Sequence, residues 1–172
     1  MKNILTKLII TFFVFSALTV NAQDKLKIGY INSQELLSAM PESDSAQKKI
    51  ESLAKEHESA LDEMTVEFNK KYEAYNKNMS TFSELVKASK EAELQDLQNR
   101  IQTFQQTAQE DLQKKRAELF KPVQDKALKA VSQVAEENGF TYILDSGTGA
   151  VVFESSTAQD ILPLVKKKLG LQ

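Results

Sequence analysis

The only histidine of the 172-residue chain is His57, and there is no cysteine. A histidine that works as a general base or a metal ligand needs partners, and no second imidazole or thiolate is available. His57 also falls in phase with a helical apolar stripe, so it reads as a seam residue with a local hydrogen-bond partner. Ser146, Gly147, Thr148 and Gly149 are residue types of a phosphate-cradling loop. The GxxxxGK[ST] spacing and the following helix are missing, so a turn between strands is the better reading. Glu56 with Glu58, or Asp62 with Glu63, could share a proton, but they stand on solvated helix faces with no pocket implied. No cofactor or metal is expected, and the chain does not read as an enzyme.

A second group has chemistry of another kind. Met64, Phe68, Tyr72, Tyr75, Met79 and Phe82 recur at helical spacing. Flexible thioethers and amphipathic rings suit ordinary packing between helices, and they equally suit a surface that binds many partners weakly. Around them, residues 69–90 carry Lys70, Lys71, Lys77, Lys87 and Lys90 against Glu73 and Glu84, a local balance of +3. Such a patch would steer acidic partners or touch anionic lipid heads.

These residues need elements to hold them. Five Gly and three Pro are few turn residues for 172 positions, which favours a mostly helical chain. The region 43–138 contains no Gly and only Pro122. Within it Ile50, Leu53, His57, Leu61, Met64, Phe68, Tyr72, Tyr75, Met79 and Phe82 form one stripe, nine steps over 32 residues. That spacing of about 3.56 residues lies between a coiled coil and a straight helix. A second stripe runs from Leu94 through Leu97, Ile101, Phe104, Ala108, Leu112, Leu119, Val123, Ala127, Ala130 and Val134. Most other positions are charged or amide residues, as on a solvated helix with one narrow seam. Asn76, Asn78, Ser80, Thr81 and Ser83 are weaker helix formers, so an antiparallel hairpin turning near residues 78–84 is expected. Ser43 or Asp44 is expected to cap its first helix.

The flanks, 23–42 and 139–172, read as a small β-body. Leu26, Ile28 and Tyr30 alternate with Lys27 and Gly29, a strand. Ser33 is the expected cap of a short helix over 34–39, closed by Pro41. Residues 140–144 (FTYIL) and 150–153 (AVVF) read as two strands of a hairpin around Asp145–Gly149. A last helix is expected to open at Ser155–Thr157, with Thr157 and Asp160 at capping-box spacing. Three short strands enclose too little core to stand alone, and open sheet edges invite copies of the same chain.

The first 22 residues read as an address. Lys2 and Lys7 precede an apolar run over 8–20 that is shorter than the roughly 20 residues a membrane span needs. Val20-Asn21-Ala22 suits cleavage after Ala22, which makes this a secretory signal peptide. The chain from Gln23 onward keeps 20 basic against 24 acidic residues, so its net charge is −4. An exported acidic protein is a poor candidate for nucleic acid.

In this order the chain resembles the Skp/OmpH family of periplasmic chaperones. The carriers are Lys27-Ile28-Gly29-Tyr30-Ile31-Asn32, Met40-Pro41-Glu42, Leu97-Gln98-Asn99-Arg100-Ile101-Gln102-Thr103-Phe104, the run from Glu137 to Asp145, and Thr157 to Leu169 with Lys166-Lys167-Lys168. The resemblance implies an α+β homotrimer: strands from three chains complete a small barrel, and three helical hairpins hang from it. The cavity between them would hold unfolded outer-membrane proteins in the periplasm without nucleotide. One departure is charge. The best-known members are strongly basic and this chain has a pI of about 5.6, so a lipopolysaccharide site is not carried over.

The candidate client-binding residues are then Phe68, Tyr72, Tyr75, Met79 and Phe82. The candidate trimer contacts are Ile28, Tyr30, Ile143, Val151 and Phe153. The alternative from another class is a structural or adaptor coiled coil of the cell envelope, which predicts one fixed partner and no suppression of aggregation.

Overall fold

The computed structural model describes residues 26–171; the expected signal peptide and its cleavage site lie outside them. The element order is β1 (Ile28–Ile31), α1 (Ser33–Ala39), α2 (Pro41–Asn78), a 3-10 turn (Met79–Thr81), α3 (Glu84–Glu137), β2 (Tyr142–Asp145), β3 (Gln159–Asp160) and α4 (Leu162–Lys168).

Helices α2 and α3, of 38 and 54 residues, would reach about 57 Å and 81 Å at 1.5 Å per residue. Their partners run in opposite chain directions. Tyr75 meets Glu91, Lys71 meets Glu93, His57 meets Asp111, and Glu42 meets Lys126. Between these polar pairs lies a narrow seam whose buried members are Ala46, Ile50, Tyr75, Leu94 and Leu97. The turn falls inside the expected interval. Ser83 caps α3, its Oγ accepting from the Val86 N–H at 3.4 Å. Helix α2 opens differently from expectation. It starts at Pro41 with no side-chain cap, because a proline at the first helical position has no N–H to satisfy. The cap of α1 is Asn32, one residue earlier than Ser33, its Oδ1 accepting from the Glu35 N–H at 3.0 Å.

The sheet departs most from the sequence reading. Its order is β2-β1-β3, and both pairings are parallel. The expected hairpin of residues 140–144 with 150–153 does not form, and 150–155 has no regular structure. The cause is local. Asp145 accepts from the Ser33 N–H at 3.1 Å and the Ser33 hydroxyl at 2.6 Å, while the Ser146 N–H donates to Ile31 O at 2.9 Å. These bonds carry the chain across the end of β1 instead of back along β2. Its third strand is therefore Gln159–Asp160 on the far edge of β1. The last helix likewise starts at Leu162, not near Thr157, with Asp160 Oδ1 accepting from the Leu162 N–H at 2.8 Å.

The body core gathers Ile31, Leu36, Met40, Val123, Ala127, Ala130, Val134, Ile161, Leu162 and Val165. Four of these come from α3, so the core of the body reaches back along α3 to Val123. The last turns of α3 are the face against which the sheet packs. Lys166 bonds Glu35 at 2.7 Å and Lys168 pairs with Glu137, so α4 is tied to both α1 and α3.

Gly29 has a steric role. A Cβ there would stand 2.8 Å from Phe140 Cε1 and 3.0 Å from Ile143 Cδ1. Gly29→Ala is expected to lower stability by about 1–3 kcal/mol through overpacking, read as a fall in the urea midpoint. An unchanged midpoint would mean that Phe140 turns aside freely.

Candidate functional site

The chemistry-bearing candidates divide on sight of the structure. His57 is half-buried in the arm seam, its Nε2 3.1 Å from Asp111 Oδ2 and its ring edge-on to Phe104 at 6.0 Å. It has the local partner its position suggested. The Ser146–Gly149 segment is a turn after β2. Asp145 beside it is a structural group. Burial would raise its pKa, but the Ser33 hydroxyl and the backbone N–H groups of Ser33 and Gly147 outweigh that and hold it below the usual carboxylate range. No group of histidine and acidic side chains suited to a metal occurs among the described residues. No described helix is long and apolar enough to cross a membrane.

The arm end is where unsatisfied apolar surface collects. Phe68 and Tyr72 stack at 6.0 Å with rings nearly parallel, Phe68 half-buried and Tyr72 49% exposed. Met79 is 46% exposed on the turn. Tyr75 behaves otherwise. It is buried between the helices, packs against Phe82 at 6.3 Å, and its hydroxyl donates to Glu91. That bond, with burial, raises the Tyr75 pKa. Tyr75 therefore closes the turn, Phe82 is half-buried beside it, and Tyr72 and Met79 face outward.

Two residues were not legible as candidates. Leu85 is 82% exposed and Val86 39% exposed in the first turn of α3. Stepping back from Leu94 by helical spacing lands on Lys90 and Lys87, so Leu85 is out of phase with the seam. That phase error was the available signal: an apolar side chain two positions off the stripe must face solvent.

The basic collar is partly neutralised. Lys71 and Lys90 both bond Glu93, and Lys87 bonds Glu84, which leaves Lys70 and Lys77 without an ion pair among the described residues. Bonds from Lys71, then from Lys90, push the Glu93 carboxyl down to about 2. A carboxylate depressed from 4.5 contributes stability above its unfolded pKa, and that contribution fades as pH falls from about 4.5 toward 2. Protection of the amides around residues 71–93, taken against the intrinsic exchange rate at each pH, is expected to fall across that window in wild type. Glu93→Gln is expected to show the faster exchange already at pH 7. Equal exchange in the two proteins at pH 7 would contradict this role for Glu93.

The second concentration of exposed apolar groups is on the outer face of the sheet. In register, Ile28 lies opposite Tyr142 and Tyr30 opposite Leu144. Ile28 (44%), Tyr142 (60%) and Leu144 (47%) are exposed, and Tyr30 is half-buried. Burial, then the nearby Glu154 and Asp160 carboxylates, raises the Tyr30 pKa. Ile143 points the other way, onto the core with Ile31. The period of two thus puts Tyr142 and Leu144, not Ile143, beside Ile28 and Tyr30. Val151 is half-buried and Phe153 is 82% exposed, on the irregular segment before β3.

Residues 27–169 match the family model described as Outer membrane protein (OmpH-like). A crystal structure from Caulobacter crescentus CB15, of a protein described as an OmpH-like outer membrane chaperone, superposes with a TM-score of 0.72 at 16% identity, over 83% of this chain and 82% of that one. At that identity the likeness concerns the fold. No curated protein matches the sequence significantly. The family match spans both the helical arm and the small sheet, and the chain belongs to the OmpH-like outer membrane protein family.

Proposed function

We propose that this protein is a periplasmic holdase that assembles as a homotrimer and holds unfolded outer-membrane proteins between its helical arms, without nucleotide and without catalysis. The observation that carries the reading is the exposed apolar group at the arm end, Tyr72, Met79, Leu85 and Val86, on a two-helix arm too thin to bury it. Family membership and the fold shared with a protein described as an outer membrane chaperone support it. So does the apolar outer face of the sheet, which a lone chain leaves in water. The mechanism is shielding. Several contacts of about 1 kcal/mol each add to useful avidity, yet each lets go easily. Export follows from the signal peptide expected over residues 1–22. With the acidic pI, apolar contact outweighs charge in capture, and Lys70 and Lys77 contribute steering.

The test is native mass of the mature chain, alone and after mixing with an outer-membrane β-barrel protein diluted from urea. A trimer that takes up one client is expected. A trimer indifferent to the client would favour the envelope adaptor, and a monomer would overturn the oligomeric reading.

A further inference from the structure

Helix α3 ends through Asn138 and Gly139. The Gly139 N–H donates to Glu136 O at 3.2 Å and the Phe140 N–H to Ala135 O at 2.9 Å, the paired bonds of a Schellman turn. Such a turn needs a left-handed residue, and Gly139 supplies it at φ +67°. The turn carries the chain from the arm into the body. Lys27 donates to Asn138 O at 2.7 Å and lies over the Phe140 ring at 4.1 Å, and the Thr141 N–H donates to Lys27 O at 2.7 Å.

The glycine that the turn requires also opens Asn138 to a reaction. Gly139 has no side chain to screen its amide nitrogen from the preceding carboxamide. Asn138-Gly139 is the one Asn-Gly pair in the sequence; Asn32, Asn69, Asn76, Asn78 and Asn99 each precede a residue with a side chain. In the reaction the Gly139 nitrogen gives its proton to solvent and bonds to Asn138 Cγ. The Cγ–Nδ2 bond breaks and ammonia leaves. Water then opens the five-membered imide, at Cγ to give aspartate or at the main-chain carbonyl to give isoaspartate. Both residues are exposed, so water is at hand.

The folded turn opposes the first step. Asn138 has ψ 5°, which holds the Gly139 nitrogen beside the nitrogen of Asn138 itself, a third of a turn away from Cβ. Ring closure needs it eclipsed with Cβ. Asn138 Nδ2 is drawn back along the helix to Val134 O at 2.7 Å, and the attacking N–H is committed to Glu136 O.

We propose that Asn138 is a deamidation site gated by the fold, closed while the Schellman turn stands and open when the end of α3 comes loose. Refolding does not erase the isoaspartyl product. It adds one carbon to the main-chain path before Gly139, which puts the Gly139 and Phe140 N–H groups out of register with Glu136 O and Ala135 O. It also leaves a carboxylate at the C-terminal end of α3, where the helix dipole disfavours negative charge. Each opening of the body thus risks a lasting weak point between arm and body.

The test follows the mature chain by peptide chromatography with mass detection, which reads the exchange of NH2 for OH at each asparagine and separates the two products. Samples age in native buffer and in guanidinium chloride at the same pH and temperature. In denaturant Asn138 is expected to convert faster than the other five asparagines of the mature chain, and at least about ten times faster than in native buffer. Equal rates at Asn138 in the two conditions would overturn the gate. No lead of Asn138 over the other asparagines in denaturant would overturn the site. The aged sample is then returned to native buffer and exposed briefly to protease across a urea series. Isoaspartyl chains should be lost at lower urea than unmodified chains of the same sample. Loss of both at the same urea concentration would overturn the lasting weak point.

Discussion

Val165→Asp is expected to abolish the proposed trimeric assembly. Val165 is fully buried in the body core, against residues drawn from α1, α3 and the strand ends. The described core holds no buried polar side chain that could receive a carboxylate. An unpaired charge there costs at least about 4 kcal/mol, or else the segment is expelled. Domains of this size hold only about 5–15 kcal/mol in total. The body is small, and α4 is joined to it by this residue, Leu162 and the two surface ion pairs to Glu35 and Glu137. The measurement is native mass with a urea titration. The variant should run as a monomer with a much lower midpoint, while circular dichroism keeps much of the helical signal of the arm. Val165→Ala, which only opens a cavity, should cost less and keep the assembly. Assembly by Val165→Asp with an unchanged midpoint would show that α4 is not part of the working core.

The second large effect concerns capture. Replacing Tyr72, Met79, Leu85 and Val86 together by serine is expected to weaken the proposed client binding by at least about 100-fold. Four contacts worth about 0.7–1 kcal/mol each sum to roughly 3–4 kcal/mol, and each 1.4 kcal/mol is tenfold. These side chains are exposed, so the assembly mass and urea midpoint should barely move. Tyr75 must stay, because it is buried and bonded to Glu91. Tyr75→Ser should loosen the arm end itself, seen as faster hydrogen exchange around residues 71–93. The two variants separate binding surface from scaffold. Capture that survives the fourfold substitution at intact mass would remove the arm end from the mechanism.

Phe68, Tyr72, Tyr75, Met79 and Phe82 form one stripe in the sequence, and helical spacing alone cannot say which member faces the partner helix and which faces water at a turn. Where the stripe meets the turn, the helix ends and the phase resets at Ser83, so Tyr75 goes inside while Met79 and Leu85 stay out. In the body the same holds with period two: Ile143 shares a face with Ile31 and lies on the inner side of the sheet, while Ile28 and Tyr30 lie on the outer side.

The periodic parts of this protein are legible in the order of its residues. Two long helices with one narrow seam each, a turn within residues 78–84, a strand around residues 26–32 and another over 140–144 could be read from it. Those features rest on neighbours in the chain, whose spacing can be read directly. The tertiary structure decided what depends on residues far apart. Bonds from Asp145 and Ser146 back to Ser33 and Ile31, more than 110 residues away, turned an expected hairpin into a parallel sheet. They also left 150–153, a run with the composition of a strand, without a strand partner among the described residues. Val123, Ala127, Ala130 and Val134 continue the arm stripe without a break in pattern. Only the packing of the sheet onto that face makes them the core of the body. A local pattern states that a face is apolar, and a fold is needed to say what covers it.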